Sequence, residues 1–306
     1  MSGTKIAYLG PRGTFTELAA KQLPGADSAE LVAMASVTEA LDAVVSGKVD
    51  RAVVPIENSI EGGVSATSDA LTNTAGVQIF GEYLVPVTFN LLVRPGTRLS
   101  DIKTVLTHPV AYAQTRKWLS AKLPSHSHIP AASTAAAAKS ISEDKLADAT
   151  IAGPGVHQLY GLEVISENIG ENPDAQTRFI EVGKSGKPPK KTGSDKTSLV
   201  VELPDDRPGA LLEMLEQFAA RGVNLSRIES RPVGDRFGRY RFNIDVQGHV
   251  ADEAIAESLM GLHRFSPKVI YLGSYPRADK SESVHDGNNA NNDYEAAKRW
   301  VDSLRD

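Results

Sequence analysis

A stretch that contains no apolar residue other than two prolines divides this chain into unequal parts. Residues 184–195 read KSGKPPKKTGSD, and because such a segment cannot join a hydrophobic core, we predict a linker at residues 184–196. A chain of 306 residues is also too long for one ordinary core. We therefore predict a first domain at residues 1–183, a second at 197–276 and a polar tail at 277–306.

In the first domain, short β-branched apolar runs alternate with Ala-rich helical patterns, which predicts an α/β fold with a largely parallel sheet. A hydroxyl followed three residues later by a glutamate marks two helix starts, at Thr14–Glu17 and Ser36–Glu39, since each pair satisfies backbone donors of a first helical turn. The predicted strands are Lys5–Leu9, Arg51–Pro55, Val85–Val93, Ile102–Thr107, Thr150–Ala152 and Arg178–Val182.

The second domain shows a different order of elements. Its patterns predict strands at residues 198–203, 225–231, 239–247 and 269–275, and helices at 209–221 and 252–263. This βαββαβ order is typical of a ferredoxin-like fold. The tail begins with Ser, Asp and Asn residues, which predicts disorder. It then places Tyr294, Ala297, Val301 and Leu304 on one face of a short helix.

Composition narrows the classes of function. The absence of cysteine excludes disulfides, thiolate metal sites and thiol nucleophiles, and without a recognisable metal or nucleotide motif we expect neither a metal nor a cofactor. The net charge of -5 gives no support to a nucleic-acid partner. The N-terminus does not resemble a signal peptide, and no apolar run approaches the roughly 18 residues that cross a membrane. We expect a cytoplasmic protein without a membrane partner.

The turn after the first strand combines glycines, an arginine and hydroxyls. Residues 10–16 read GPRGTFT and lie between a strand and a capped helix. Such a turn aims backbone N–H groups and the positive end of a helix outward, toward a carboxylate or phosphate. A tight turn with a solvent-facing arginine explains the same pattern. Arg12 and Gly13 are therefore candidate substrate-binding residues with a structural alternative.

A second polar cluster follows a predicted buried strand. Glu57, Asn58 and Ser59 stand ahead of a flexible pair of glycines. Ligands bind at the carboxyl ends of strands in such sheets, which makes these three residues candidates for substrate binding, with a polar turn as the alternative. His108 lies at a strand-to-helix junction ahead of Gln114. A lone histidine there is more often a capping group than a catalyst.

The third cluster closes the first domain. Residues 172–179 read NPDAQTRF and bring a turn onto a strand. Thr177 offers a neutral hydroxyl donor, and Arg178 could bind a carboxylate with two parallel hydrogen bonds. Taken singly, either residue could belong to an ordinary edge strand.

In combination and in this order, these motifs resemble the prephenate dehydratases. The resemblance rests on YLGPRGTFTELAA at residues 8–20, VPIENSIEGGV at 54–64, the His-Pro run with Gln114 at 108–114, Ser133-Thr134, and NPDAQTRF at 172–179. It implies a two-lobed fold like that of type II periplasmic binding proteins. It also implies conversion of prephenate to phenylpyruvate in L-phenylalanine synthesis, with loss of carbon dioxide and water and without a cofactor.

The resemblance also assigns roles to the family's Thr-Arg-Phe triplet. It implies that Thr177 faces the leaving hydroxyl, that Arg178 holds a substrate carboxylate and that Phe179 supports the wall of the site. A threonine hydroxyl is a poor acid at neutral pH, so we interpret Thr177 as a positioned hydrogen-bond donor. The catalytic candidates are thus Thr177, Arg178 and Phe179, and the substrate-binding candidates are Arg12, Gly13, Glu57, Asn58 and Ser59.

Two motifs of the second domain resemble those of an ACT regulatory domain in the same family. GALL at residues 209–212 is similar to the family's Gly-Ala-Leu-Val effector motif, and ESRP at 229–232 matches its Glu-Ser-Arg-Pro motif. The resemblance implies L-phenylalanine as a feedback inhibitor and a homodimer or homotetramer. The implied effector-binding residues are Gly209, Ala210, Leu211, Asn224, Leu225, Glu229 and Ser230.

Two other functions remain open at this point. A non-enzymatic amino-acid sensor could share the fold, although the Thr177–Phe179 triplet is not something that a pure binder requires. The substrate could also be arogenate, which carries an amine where prephenate has a keto group. We expect no fused chorismate mutase, because no helical domain precedes the first strand.

Overall fold

A computed structural model describes residues 3–234, 238–282 and 289–305. Its strands are β1 (Lys5–Leu9), β2 (Glu30–Met34), β3 (Arg51–Asn58), β4 (Gly62–Gly63), β5 (Val77–Pro86), β6 (Asn90–Val93), β7 (Thr104–Thr107), β8 (Ser127–Pro130), β9 (Ala149–Ala152), β10 (Glu163–Ser166), β11 (Gln176–Lys184), β12 (Asp195–Glu202), β13 (Leu225–Pro232), β14 (Tyr240–Gln247) and β15 (Lys268–Pro276). Its α-helices are α1 (Phe15–Ala20), α2 (Val37–Ser46), α3 (Ser65–Asn73), α4 (Pro109–Gln114), α5 (Arg116–Lys122), α6 (Thr134–Glu143), α7 (Val156–Tyr160), α8 (Ala210–Ala219), α9 (Glu253–Phe265) and α10 (Asn291–Ser303).

The chain forms two compact units. The first contains the residues up to Thr67 together with Tyr83–Phe179, and the second contains Ser68–Glu82 together with the residues from Ile180 onward. The first unit is built on two sheets, one in the order β2-β1-β3-β11-β5 and the other in the order β10-β6-β9-β7-β8. The chain enters the second sheet after β5 and returns to the first at β11, so two lobes are joined by two crossings. This arrangement confirms the predicted two-lobed fold class.

Alternating side chains of β6 supply cores on both faces of the second lobe. Leu91 and Val93 pack into one cluster with Leu119, whereas Leu92 packs into another with Ile141. Helices cover both faces, which is why this strand is a continuous apolar run rather than an alternating one. The second lobe is therefore a three-layer α/β structure with its own core.

The predicted capping boxes position the helices of the first lobe. Thr14 Oγ1 accepts a hydrogen bond from the Glu17 N–H at 3.3 Å, and Ser36 Oγ accepts one from the Glu39 N–H at 3.1 Å. Helices α1 and α2 thus begin shortly after β1 and β2 end. Because β1 is parallel to both β2 and β3, the turns after these strands lie at one edge of the sheet.

The single strand predicted at Val85–Val93 is wrong. Strand β5 ends at Pro86 and β6 begins at Asn90, because the intervening residues carry the chain from one sheet to the other. The Val87 N–H donates to the Ala175 carbonyl at 2.7 Å, so both crossings are held side by side. The prediction also missed β2, β8 and β10, which are edge strands and bury too little to show a strong apolar pattern.

The second unit contains an antiparallel sheet in the order β13-β14-β12-β15. On one face Leu199 and Ile244 pack against Phe218 of α8 and Leu262 of α9, which confirms the predicted βαββαβ fold. Strand β12 begins at Asp195, three residues before the predicted strand start at 198. The buried Asp195 carboxylate accepts the N–H groups of Thr192 and Gly193 at 2.8 and 2.9 Å, so its charge is satisfied at the strand end.

The opposite face of this sheet is polar and is covered by residues 68–82. Lys196 forms a buried ion pair with Glu82, with Nζ 2.8 Å from Oε2. A side chain at Gly273 would place its Cβ 2.3 Å from the Ile79 carbonyl oxygen, so β15 and β5 approach as closely as a glycine allows. These contacts explain why residues 68–82 belong to the second unit.

The predicted tail helix is present as α10. Tyr294 packs against the core of the second unit, whereas Leu304 is exposed. The polar stretch ahead of α10 includes residues 283–288, so its predicted disorder lies partly outside the described residues. Among the described residues, every helix is too short or too polar to span a membrane.

Candidate active site

The centre of the site is a hydrogen bond between the ends of two neighbouring strands. Asn58 at the end of β3 donates from Nδ2 to Thr177 Oγ1 of β11 at 2.9 Å. The other side-chain atom, Asn58 Oδ1, accepts the N–H groups of Ile60 and Glu61 at 2.9 and 3.2 Å. These backbone donors determine the orientation of the amide. Thr177 is consequently an acceptor toward Asn58, and its own hydroxyl proton is available to another acceptor.

Ser59 fixes the loop that carries Asn58. Its N–H donates to the Gln176 carbonyl at 2.9 Å, and its Oγ accepts the Gln176 N–H at 3.0 Å. This reciprocal pair ties the end of β3 to the residue just before Thr177. Ser59, a predicted substrate ligand, therefore also holds the two site strands together.

Arg178 forms an ion pair within the protein. Its Nη1 lies 3.3 Å from Glu57 Oε2, and only 8% of its side chain is exposed. Successive strand residues point to opposite faces of a sheet, so Arg178 and Thr177 face away from each other on β11. The structure brings together Thr177 with Asn58 and Arg178 with Glu57, but it does not bring the guanidinium beside the threonine hydroxyl.

Phe179 lies on the same face as Thr177 and is 2% exposed. It packs with Ile6, Tyr8 and Val53 in the core of the first lobe. Phe179 therefore anchors β11 in the core of the first lobe.

The turn after β1 is held by its own helix and by the second lobe. The Gly13 N–H donates to Glu17 Oε2 at 2.5 Å, and Tyr160 in α7 donates its hydroxyl proton to the Arg12 carbonyl at 2.8 Å. Burial opposes ionisation of Glu17, but hydrogen bonds from Lys21 and from the Gly13 N–H hold its pKa below the usual value. The N–H group that the sequence offered to an anion is thus bound to an ionised carboxylate of the protein.

The Arg12 side chain is exposed and makes no ion pair among the described residues. Its turn packs closely on the second lobe: Gly13 has a φ of +88°, and a Cβ there would lie 3.2 Å from Leu159. Phe15 meets Phe89 edge-to-face with ring centroids 6.0 Å apart. These contacts pack the turn against the second lobe, while the Arg12 side chain remains exposed.

His108 caps a helix at the carboxyl end of β7. Its Nδ1 accepts the Val110 N–H at 3.3 Å, which agrees with the capping interpretation. Burial lowers the pKa of His108 and outweighs the opposing influence of Glu61. This shift favours the neutral imidazole, and the hydrogen bond that Nδ1 accepts assigns the proton of that form to Nε2.

Gln114 was noted in the sequence but not selected as a site residue. It lies at the end of α4 and is 7% exposed, and its Nε2 has no hydrogen-bond partner among the described residues. A buried amide donor without a partner is costly. Its backbone carbonyl accepts the Glu171 N–H at 2.8 Å, next to the turn that leads to Thr177. A polar residue on a short helix gives only a weak signal in the sequence.

Two family models match this chain. The model of the prephenate dehydratase family matches residues 6–187, and that of the ACT domain matches residues 197–264. The chain belongs to the prephenate dehydratase family. A prephenate dehydratase from Mycolicibacterium vanbaalenii is 45% identical over 287 residues, which are 90% of this chain and 91% of that relative.

Solved structures of prephenate dehydratase relatives extend the comparison. A prephenate dehydratase from Arthrobacter aurescens in complex with L-Phe is 50% identical, with a TM-score of 0.94 over 98% of this chain and 99% of the other. GqqA, described as a novel type of quorum quenching acylase, is 30% identical, with a TM-score of 0.79 over 89% of this chain and 98% of the other. Relatives that share this fold are therefore described with two different activities.

The effector residues that the family resemblance implies fall on different surfaces. Gly209 precedes α8 with a φ of +88°, followed by buried Ala210 and exposed Leu211. In β13 the Glu229 carboxylate pairs with Arg227, whereas Ser230, next in the strand, faces the other way. The carbonyl of Asn224, in the turn before Leu225, accepts the Gln247 N–H at 2.9 Å. The carboxylate of Glu229 is thus engaged within the protein.

Proposed function

We propose that this member of the prephenate dehydratase family converts prephenate to phenylpyruvate, carbon dioxide and water. The observation that supports this most directly is the Asn58–Thr177 hydrogen bond of 2.9 Å. Thr177 accepts this bond, so its own hydroxyl proton can be donated to another group. A fixed neutral donor is what a departing hydroxyl group needs. Donors aimed at developing negative charge lower a barrier because they require no reorganisation during the reaction.

The reaction balances without a redox partner. The bond from the ring to its carboxylate breaks, its electron pair enters the ring, and carbon dioxide leaves. The bond to the ring hydroxyl breaks with its electron pair on oxygen, which takes up one proton from solvent and leaves as water. Thr177 stabilises the charge on that oxygen, while formation of the aromatic ring drives the reaction forward.

We assign the substrate carboxylate to Arg12 rather than to Arg178. The Arg12 side chain is exposed, and its backbone carbonyl accepts a hydrogen bond from the Tyr160 hydroxyl. Arg178, in contrast, is already paired with Glu57. In this assignment Glu57 positions Arg178, and Ser59 positions the loop of Asn58. Arg178 then acts as a positioning residue that orders the two strands of the site.

We also propose L-phenylalanine as a feedback inhibitor that binds the ACT domain. The relative solved in complex with L-Phe supports this choice. Exposed Leu211, Leu212 and Ile228 on α8 and β13 favour a homodimer through this domain, with a homotetramer as the larger assembly, and sedimentation velocity distinguishes the two. We place the enzyme in the cytoplasm, which cell fractionation tests.

A direct assay tests the reaction. Purified protein pretreated with chelator is expected to form phenylpyruvate from prephenate, detected by its absorbance in alkali, with arogenate assayed in parallel. Faster turnover of arogenate would change the substrate, and no turnover of either would contradict the enzymatic proposal. An acylase assay is included because of the similarity to GqqA, and hydrolysis there without prephenate turnover would favour that activity instead.

A further inference from the structure

Two arginines of the effector domain face each other across a strand pair. Arg231, within the ESRP motif of β13, lies directly opposite Arg241 of β14 in the strand register. Like charges in directly opposed positions destabilise a sheet unless an anion lies between them. Such a pair therefore creates a requirement for a carboxylate at this point.

Asp69 of helix α3 supplies that carboxylate. Its Oδ2 lies 2.8 Å from Arg231 Nη2, and its Oδ1 lies 2.8 Å from Arg241 Nη2. The hydrogen bond from Arg231, aided by the one from Arg241, lowers the pKa of Asp69 despite its partial burial. One ionised carboxylate thus bridges the two strands.

The preceding residue of α3 binds the same strand. Ser68 Oγ accepts a hydrogen bond from Arg227 Nη2 at 3.1 Å and donates one to Glu229 Oε2 at 3.3 Å. Two successive residues of α3 are therefore bonded to three side chains of β13, and one of these, Glu229, is a predicted effector residue. A shift of β13 cannot leave α3 unaffected.

The first turn of α3 is hydrogen-bonded to β3, the strand that carries Asn58. The fully buried Thr67 donates from Oγ1 to the Pro55 carbonyl of β3 at 2.5 Å, and the Val64 N–H donates to the Ile56 carbonyl at 2.9 Å. Immediately before α3, Gly62 of β4 is paired with Asn58. The same short helix thus contacts the strand that holds the Thr177 partner.

We infer that Asp69 couples the effector domain to the catalytic site, so that a change in the spacing of Arg231 and Arg241 moves α3 and with it the Asn58 amide. This inference rests on the proposed function and deepens its regulation. An effector can act this way only if it binds one arrangement of the Asp69 bridge more tightly than the other. Displacement of the amide by a fraction of an ångström weakens the hydrogen bond that orients Thr177.

The test uses the full-length protein and separates binding from response. Asp69→Asn keeps the shape of the side chain and removes its charge. We expect L-phenylalanine to bind this variant, measured by calorimetry, while most of the inhibition that it causes at saturating concentration is lost. Asp42→Asn is the matched control, because Asp42 is an exposed aspartate of α2, and we expect it to retain normal inhibition.

A readout without catalysis keeps this test independent of the proposed reaction. Hydrogen exchange of the amides at residues 56–64 is expected to change on addition of L-phenylalanine in the parent protein and to stay constant in Asp69→Asn. An unchanged response in the variant, no response in the parent, or loss of L-phenylalanine binding in the variant would each overturn the inference. If Asp69→Asn does not fold, Arg241→Gln breaks the same bridge and the same outcomes apply.

Discussion

The strand pair at the candidate active site and the strand pair in the ACT domain use polar side chains in opposite ways. At the first, the Asn58–Thr177 hydrogen bond leaves one hydroxyl proton without a partner in the pair. At the second, the Asp69 carboxylate forms ion pairs with both Arg231 and Arg241. A hydroxyl proton that the pair does not use can act on a substrate, whereas the Asp69 carboxylate is bonded to both guanidinium groups and can hold or transmit their position. We therefore expect substitutions in the Asn58–Thr177 pair to change kcat, and substitutions in the Asp69 bridge to change the inhibition by L-phenylalanine.

The largest expected effect is on turnover at the unpaired hydroxyl. Thr177→Ala should lower kcat by about 10²- to 10³-fold, the range for removing one donor that stabilises developing charge, with little change in KM. Steady-state kinetics on prephenate measure this. Thr177→Ser, which keeps the hydroxyl, should recover much of the rate, and near-normal turnover of the alanine variant would remove Thr177 from the mechanism.

The next effect reverses the direction of a hydrogen bond. Asn58→Asp keeps the oxygen that accepts the Ile60 N–H but replaces the donor by an acceptor, so Thr177 would donate to residue 58 instead of to substrate. We expect kcat to fall about 10²-fold with unchanged melting temperature. Asn172→Asp is the control, since Asn172 accepts the Asp174 N–H in a similar turn. Equal loss in both variants would contradict the proposed orientation.

A smaller effect, confined to regulation, is expected at the start of α8. Gly209 has a φ of +88°, and a Cβ there would meet no atom within 4 Å. Gly209→Val therefore acts by strain of about 1–2 kcal/mol in the backbone and by blocking the approach of a ligand. We expect the inhibition by L-phenylalanine to be lost, measured by titrating turnover.

Gly25→Val provides the control for strain alone, because Gly25 has a φ of +79° and equally open surroundings. If Gly209→Val and Gly25→Val respond equally to L-phenylalanine, the effector site does not involve Gly209.

The smallest effect distinguishes positioning from substrate binding at Arg178. The ion pair with Glu57 leads us to expect that Arg178→Lys lowers stability by about 1 kcal/mol, a few degrees in melting temperature, and raises KM less than about threefold. Thermal unfolding and kinetics measure the two quantities. A tenfold rise in KM without a change in melting temperature would instead return Arg178 to the role of carboxylate clamp.

Much of the fold was predictable because it rests on local patterns. The capping boxes at Thr14 and Ser36 and the alternation of strands and helices depend on residues a few positions apart. The break at residues 87–89 was not predictable, because an apolar run shows the same pattern whether it stays in one sheet or crosses to another. Edge strand β2 was missed for a related reason, since partial burial leaves little periodicity.

The sequence by itself determined the βαββαβ order of the second domain, the family and the identity of the triplet that ends at Phe179. Only the tertiary structure decided which side chains are partners. Asn58 and Thr177 are separated by 119 residues and Asp69 and Arg231 by 162, so no local pattern records these contacts. Strand order brings them together, and the hydrogen bonds that each group already makes then determine which atoms remain for a ligand.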